Sequence, residues 1–235
     1  MSFHLFRPLL AGAQFRHRLV ACAGAAVCLA LTMVVCAHLP LAASDLPIIV
    51  APLGASAVLV FAVPASPLAQ PWPVVGGNTI ATLVGVAVYH AVPNVMVAAG
   101  LAVGCAILIM SLARCLHPPG GAAALTAVIG GDSIHAAGYQ FAFAPVAINS
   151  IALVVLAMVF HRATGHSYPH EAAISPGALE TVREAAGFHA DDIDRALADM
   201  PDGYDIDRAD LDLLLSRAEL HARQRLAEPQ RPTAV

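Results

Sequence analysis

Leu19–Leu39 reads LVACAGAAVCLALTMVVCAHL, about 21 residues with no Asp, Glu, Lys or Arg among them. A helix needs about 20 mostly apolar residues to cross the hydrocarbon core of a bilayer. Arg16 and Arg18 precede the run, as basic residues precede a secretory signal, but the apolar part of a signal spans only about 7–15 residues. No clean small-residue cleavage pattern follows Leu39. We therefore interpret the run as a retained membrane helix.

Composition extends this interpretation over the first 162 residues. The chain is 58% hydrophobic and 12% charged and has no lysine, whereas soluble domains carry about 25% charged residues. Residues 19–160 contain only three charged side chains, which are Asp45, Arg114 and Asp132. Residues 163–235 instead hold fourteen Asp and Glu against seven Arg. The sequence thus predicts a membrane domain followed by an acidic tail, and no basic surface for nucleic acid.

Five further apolar segments follow the first. Three have the length and composition of a crossing: residues 74–92, 95–113 and 141–160. Leu46–Val63 is interrupted by Pro47 and Pro52, and Pro118–Gly131 is short and begins Pro-Pro-Gly-Gly. Each of these two is a broken, short crossing or a re-entrant half-helix. The expected fold is an all-α polytopic membrane protein, with residues 1–18 and a short helical tail, residues 163–235, in the cytoplasm.

Charge placement favours six crossings over four. With six crossings and a cytoplasmic N-terminus, all arginines of the membrane domain fall inside, and Asp45 and Asp132 fall outside, as the positive-inside rule requires. These arginines are Arg7, Arg16, Arg18, Arg114 and Arg162. If the two interrupted segments are re-entrant, four helices cross and Arg114 moves outside. Both topologies place the tail in the cytoplasm.

The interrupted segments belong to an apparent internal repeat. PLGASAVL at residues 52–59 aligns with PPGGAAAL at residues 118–125. Each is followed by a helix containing Asn-[Thr/Ser]-Ile-Ala, at residues 78–81 and 149–152. Ala-rich sequence also aligns with itself by chance, but the shared order favours a duplication. The two halves, about 19–92 and 95–161, would be inverted relative to each other, because each holds three spans.

Paired Pro/Gly-interrupted segments in equivalent halves point to a transport site near the membrane midplane. A helix that begins inside the membrane presents unpaired N–H groups and a positive dipole end, which bind anions. Eleven positions make up the predicted substrate site: Gly54, Ala55, Ser56, Asn78, Thr79, Arg114, His117, Gly120, Gly121, Asn149 and Ser150.

Several of these residues also have a structural interpretation. Arg114 is also explained as a cytoplasmic anchor, and His117 as a structural cap. Asn78 and Asn149 are either ligands or hydrogen-bonding groups between helices. Gly100-x-x-x-Gly104 in the fourth helix indicates close packing within the chain rather than a dimer seam.

Neither metal nor cofactor is expected. The five cysteines show no CxxC pair and are expected to be buried and reduced. His161, His166 and His170 are loosely spaced, without carboxylate or thiolate partners, and are typical of a juxtamembrane loop.

In the tail, helices are predicted over 176–186, 190–200 and 208–226. The last has an apolar face that needs a partner: Leu211, Leu214, Leu215 and Ala218.

RCLHPPGGAAAL at residues 114–125 resembles the HPP family of integral membrane proteins, which is named after this His-Pro-Pro signature. PLGASA at residues 52–57 also matches the family pattern, and the resemblance covers roughly residues 16–162. It implies four transmembrane helices and nitrite transport, which some plant-chloroplast and cyanobacterial members carry out. Residues 188–192 and 207–211 are similar to the linker before a pair of CBS domains in many bacterial members. No such pair is expected within this chain.

We therefore expect a membrane transporter or channel for a small inorganic anion, and the resemblance makes nitrite the candidate. The alternative is a membrane-anchored sensor or scaffold that acts through its tail. An enzyme is not expected, because the spans contain no nucleophile–base pair, metal motif or carboxylate dyad. Expected partners are the bilayer, the anion and further copies of the chain, held through membrane helices or the tail. The expected location is a bacterial inner membrane, with both termini cytoplasmic.

Overall fold

The structure is a computed structural model that describes residues 15–38, 47–171, 176–187, 189–200 and 205–227. Within these ranges the chain forms ten α-helices and no strand. It divides into two compact units: residues 1–64 with 68–169, and residues 65–67 with 170–235. The second unit thus begins at residue 170, later than the predicted tail boundary. Arg7, Asp45, Phe188 and the side chain of Arg16 lie outside the described residues.

Seven helices build the first unit. They are α1 (Phe15–Ala37), α2 (Pro52–Ala62), α3 (Asn78–Ala91), α4 (Val95–Leu112), α5 (Pro118–Ile129), α6 (Asp132–Ala137) and α7 (Ile148–Ala163). A π-helical turn, Pro73–Gly77, continues into α3. The segment Ala142–Ala147 before α7 is kinked at Ala144, whose φ of −128° and ψ of 111° are not helical. Among the described residues, four helices are long and apolar enough to cross a membrane: His17–Ala37, Pro73–Ala91, Val95–Leu112 and Ala142–Ala163. The predicted fold class, a polytopic helical membrane protein, is confirmed.

Helices α2 and α5 are short but still lead from one end of the unit to the other. They have 11 and 12 residues, about 16–18 Å at 1.5 Å per residue. The backbone leading into α2 is tied to the C-terminal end of α1, since Asn149 binds both Val50 and Cys36. The C-terminal end of α2 lies beside the N-terminal end of α1, where Ala62 and Arg18 line one cavity.

Helix α5 runs in the direction opposite to α4. Its first residue follows His117, which binds the carbonyl of Leu68 in the segment between α2 and α3. Beyond its last residue, His135 binds Val128 O and stacks on Tyr89 at the far end of α3. The chain therefore passes six times between the two ends of this unit, four times in full-length helices and twice in short ones.

This path places the basic residues at one end. Arg18 lies in the first turn of α1, and Arg162 lies in the last turn of α7. Arg114 follows Ala113, whose carbonyl accepts a hydrogen bond from Trp72 at the start of the α3 segment. Asp132 begins α6 at the opposite end. This distribution agrees with the charge pattern that favoured six crossings.

Small residues allow α3, α4 and α5 to pack closely. A Cβ at Gly85 would lie 2.4 Å from the Ala124 carbonyl oxygen, so α3 touches the α5 backbone. On α4 the buried face comprises Ala98, Ala102, Ala106 and Met110. Gly100 and Gly104 lie on the other face, with nothing within 4 Å of an added Cβ. The interpretation of this GxxxG as close packing within the chain is therefore wrong, because α4 uses its alanines instead.

Helices α8 (Pro176–Ala186), α9 (Ala190–Ala198) and α10 (Arg208–Ala227) form most of the second unit. All three were predicted, within three residues at each end. The face that α10 buries is polar, however. Asp212 is 3% exposed and pairs with Arg183 at 2.9 Å, whereas Leu214 is 59% exposed. In the described part of the unit, Leu214, Leu215 and Leu226 of α10 are thus exposed, whereas Leu211, Leu213 and Leu220 are half-buried.

Candidate functional site

Four buried polar side chains meet in the interior of the first unit, and we call them the polar cluster: Ser56, Asn78, His117 and Ser150. The Asn78 Nδ2 atom lies 3.1 Å from Ser56 Oγ and 3.2 Å from Ser150 Oγ. His117 Nε2 lies 2.8 Å from Ser56 Oγ. None of the four is more than 2% exposed. Ser56 lies in α2, Asn78 in α3 and Ser150 in α7, and His117 directly precedes α5. Both halves of the membrane domain therefore contribute.

Similar local structure brings Asn78 and Ser150 into the interior. A π-helical turn, Pro73–Gly77, leads into Asn78. The segment Ala142–Ala147, which is kinked at the non-helical residue Ala144, leads into Ile148. A π-turn holds one more residue than an α-turn, so it changes which side chains of the following helix face inward. Both Asn-[Thr/Ser]-Ile-Ala stretches thus begin where the helix register has just shifted.

The carbonyl of Leu68 fixes the direction of the hydrogen bonds. It can only accept, so His117 Nδ1, 2.8 Å away, carries a proton and donates. In the neutral imidazole, Nε2 is then an acceptor, and the Ser56 hydroxyl donates to it. Ser56 Oγ in turn accepts from the Asn78 amide. The polar cluster forms a directed chain from Asn78 through Ser56 and His117 to the backbone.

One strong acceptor in the polar cluster is not used. Asn78 Oδ1 is buried and has no hydrogen-bond partner among the described residues. A buried polar atom without a partner costs about 1–3 kcal/mol, so this arrangement is favourable only if a donor reaches the atom. The unused oxygen marks the point where the polar cluster can contact something other than protein.

Asn149 lies next to Ser150 but belongs to a separate group. Its Oδ1 accepts from Val50 N at 3.0 Å, and its Nδ2 donates to Ile48 O at 3.0 Å and to Cys36 Sγ at 3.1 Å. These bonds occupy both polar atoms of the amide. They fasten the backbone before α2 to the end of α1, which is a structural task.

The remaining predicted residues are spread over the unit. Thr79 Oγ1 bonds back to Val75 O at 2.7 Å within its own helix. Gly54 has open space beside it, and Ala55 is exposed. Arg114 is exposed and in the left-handed backbone region, with φ of 53°. It has no ion pair within the described ranges.

The two glycines after His117-Pro118-Pro119 differ in their surroundings. A Cβ at Gly120 would lie 2.8 Å from Met110 Sδ and 3.0 Å from Gly77 O, whereas one at Gly121 would meet only Val103 at 3.7 Å. Gly120 therefore lets α5 approach α3, and Gly121 faces looser space.

First-turn N–H groups of the short helices are mostly occupied. Gly54 N bonds to Ala51 O, and Leu53 N to Val50 O. Before α5, Gly120 N bonds to His117 O, and the two prolines have no N–H. Side chains, rather than helix N-termini, supply the polar groups of the site.

Gly77 is a positioning residue that sequence reasoning missed. A Cβ there would lie 2.6 Å from His117 Cβ and 2.7 Å from Cys115 O. Only glycine lets the loop with His117 lie so close to the start of α3. In the sequence, the Gly76-Gly77 pair directly before Asn78 was the feature that could have indicated this close approach.

The described residues contain no group of three or more His, Cys, Asp or Glu side chains able to hold a metal ion. Cys28, Cys36 and Cys115 are buried, and all five cysteines are free. The polar cluster itself carries no formal charge when His117 is neutral. Its chemistry is therefore that of binding and proton placement.

A family model of the HPP transmembrane region matches residues 11–169. Two transmembrane proteins of Dictyostelium discoideum are similar to this chain. One is 36% identical over 131 residues, which is 54% of this chain and 46% of that protein. The other is 38% identical over 120 residues, 49% of this chain and 38% of that protein. The chain thus matches less than half the length of either relative. No solved structure matches.

Proposed function

Because the chain belongs to the HPP family of membrane proteins, we propose that its polar cluster passes a small inorganic anion across the bilayer. Nitrite is the first candidate, on the family resemblance. The observation that carries the proposal is the buried amide of Asn78, whose oxygen is unused inside an otherwise satisfied cluster. An amide can present either a donor or an acceptor to a small ligand.

The polar cluster has a second hydrogen-bonding arrangement that suits an anion. If His117 gains a proton, Nε2–H donates to Ser56 Oγ, and the hydroxyl of Ser56 turns towards Asn78. The amide of Asn78 then rotates, so that Oδ1 accepts from Ser56 and Ser150. Its NH2 group takes the position where the unused oxygen lay. This arrangement needs one proton and no movement of the backbone.

The second arrangement also solves a charge problem. An anion in an apolar interior is very unfavourable unless a positive charge accompanies it. Arg114 is exposed, and among the described residues no hydrogen bond or ion pair joins an arginine to the polar cluster. A protonated His117 supplies the missing charge. The proposal is therefore a site that takes up the anion and a proton together.

Uptake into liposomes tests the proposal. Purified protein is reconstituted, and nitrite entry is followed with the outside medium acidic or at the internal pH. We expect faster entry with protein, and a further increase when the outside is acidic. Protein-free liposomes at each pH are the control, because nitrous acid crosses lipid unaided. Equal entry with and without protein would exclude nitrite transport. Entry that ignores the pH gradient would exclude the coupling.

A second candidate function is a sensor or scaffold that acts through the tail. It is favoured by the separate compact unit that residues 170–235 form with residues 65–67. It is also favoured by exposed apolar side chains on α10, with Leu214 59% and Leu226 80% exposed. Deleting residues 171–235 separates the two functions. A transporter keeps its flux after the deletion, whereas a scaffold loses its role.

A further inference from the structure

A cavity of about 420 Å³ opens at the basic end of the first unit, apart from the polar cluster. It lies between the start of α1, the end of α2 and the end of α7. Its walls are mostly apolar, and include Ala21, Ala25, Ala57 and Phe160. The volume falls within the range of about 300–1,000 Å³ that is typical of small-ligand pockets.

The inner wall of the cavity is tightly packed. A Cβ at Gly24 would lie 2.6 Å from the Phe160 ring and 2.7 Å from the Phe61 ring. The two phenylalanines meet edge to face, with ring centroids 5.6 Å apart. Since α1, α2 and α7 are in direct contact behind it, the cavity is a fixed feature of the helix packing.

His161 lies in this wall and has an unused acceptor. The residue is 4% exposed, and its ring stacks on Phe61. Nε2 lies 3.0 Å from Val60 O, and because a carbonyl can only accept, Nε2 carries the proton. In the neutral ring Nδ1 is then an acceptor, and it has no hydrogen-bond partner among the described residues. Nδ1 itself is buried, so an occupant of the cavity reaches this atom only when the His161 ring turns towards it.

The rim of the cavity is basic. Arg18 lines it, is exposed, and has no carboxylate partner in the described part of the chain. His17 and His166 also line it, with ring centroids 5.8 Å apart. None of the lining residues that the structure describes is Asp or Glu. An occupant should therefore carry a negative group at the rim.

We propose that this cavity binds an anionic phospholipid whose headgroup carries a hydroxyl, such as phosphatidylglycerol. The phosphate pairs with Arg18, and one acyl chain lies along the alanines and Phe160. The His161 ring turns so that Nδ1 accepts a hydrogen bond from the headgroup hydroxyl. Apolar walls, a buried acceptor and a cationic rim match the three parts of this molecule. The expected cytoplasmic orientation of this end also faces it towards anionic headgroups. The proposal is independent of transport.

Lipid titration by native mass spectrometry tests it on the full-length protein in neutral detergent. Phosphatidylglycerol is compared with phosphatidic acid, which lacks the headgroup hydroxyl, and with zwitterionic phosphatidylcholine. We expect phosphatidylglycerol to bind most tightly and phosphatidylcholine most weakly. Arg18→Gln should weaken phosphatidylglycerol binding about tenfold, the effect of one charge-assisted hydrogen bond. Arg162→Gln removes a cation at the same end but outside the cavity, and should leave binding unchanged.

Two further variants address the interior of the cavity. His161→Phe keeps an aromatic ring against Phe61 and should remove the preference for phosphatidylglycerol over phosphatidic acid. Ala25→Leu should fill the cavity and weaken both lipids. Equal affinity for phosphatidylglycerol and phosphatidylcholine would overturn the proposal. So would wild-type binding by Arg18→Gln or Ala25→Leu, or displacement of the lipid by inorganic phosphate at equal concentration.

Discussion

Ser56 joins Asn78 to His117, because it accepts from one and donates to the other. Ser56→Ala leaves His117 Nε2 without its donor and Asn78 with one partner fewer. We expect a loss of about 1–3 kcal/mol in stability, the cost of unsatisfied buried groups. Thermal unfolding in detergent measures it. Ser111→Ala is the matched control, since Ser111 is exposed and bonds only to Ile107 O. Equal losses for the two variants would contradict the account of the polar cluster.

Arg114 combines an exposed side chain with a left-handed backbone, φ 53°. A non-glycine residue there costs about 1–2 kcal/mol, so Arg114→Gly should be more stable than Arg114→Ala by about 1 kcal/mol. Both variants remove the guanidinium, and both should keep wild-type nitrite flux. A loss of flux in both variants, with the fold intact, would return Arg114 to the site.

At the residue scale, sequence reasoning found the members of the polar cluster but not their partners. Ser56, Asn78, His117 and Ser150 are polar groups in apolar segments, which is a local signal. That Asn78 bonds to Ser150, while Asn149 bonds to Val50 and Cys36, depends on which helices touch. A single sequence contains no information on those distances.

Close contact between α3 and α5 is the main packing feature among the elements around the site. Gly85→Ala would place a methyl 2.4 Å from Ala124 O, and overpacking of this kind costs about 1–3 kcal/mol. Gly104→Ala is the opposite case, because nothing lies within 4 Å of the added Cβ. It should stabilise α4 by about 0.5–1 kcal/mol through helix propensity. Thermal unfolding tests both predictions: the unfolding temperature should be below that of wild type for Gly85→Ala and above it for Gly104→Ala. Similar effects of the two substitutions would contradict the α3–α5 contact.

Element boundaries followed from hydropathy and from Pro and Gly positions. The prediction of residues 95–113 matches α4, Val95–Leu112, and that of residues 118–131 matches α5, Pro118–Ile129. The π-turn before α3 was not predicted, because one extra residue in a helical turn barely alters an apolar sequence. The kink at Ala144 before α7 was not predicted either. They nevertheless set the register of α3 and α7, and so the direction of Asn78 and Ser150.

For the whole molecule, six passes predict on which side of the membrane each loop lies. Single cysteines replacing Arg114, Arg162 and Asp132, in a variant lacking the native cysteines, can be labelled from either side. We expect positions 114 and 162 to react from one side and position 132 from the other. If only four segments cross, position 114 will react from the side opposite to position 162, and the six-pass path will be wrong as a membrane topology.

Nitrite flux through matched variants tests whether Asn78 contacts the transported anion. Asn78→Ala removes the amide from the polar cluster. Thr82→Ala is the control. It removes a buried hydroxyl of the same helix, and this hydroxyl bonds only to the backbone oxygen of Asn78. With equal amounts of folded protein in liposomes, we expect Asn78→Ala to lower flux about tenfold or more and Thr82→Ala to keep it. Wild-type flux in Asn78→Ala would show that Asn78 does not contact the transported anion.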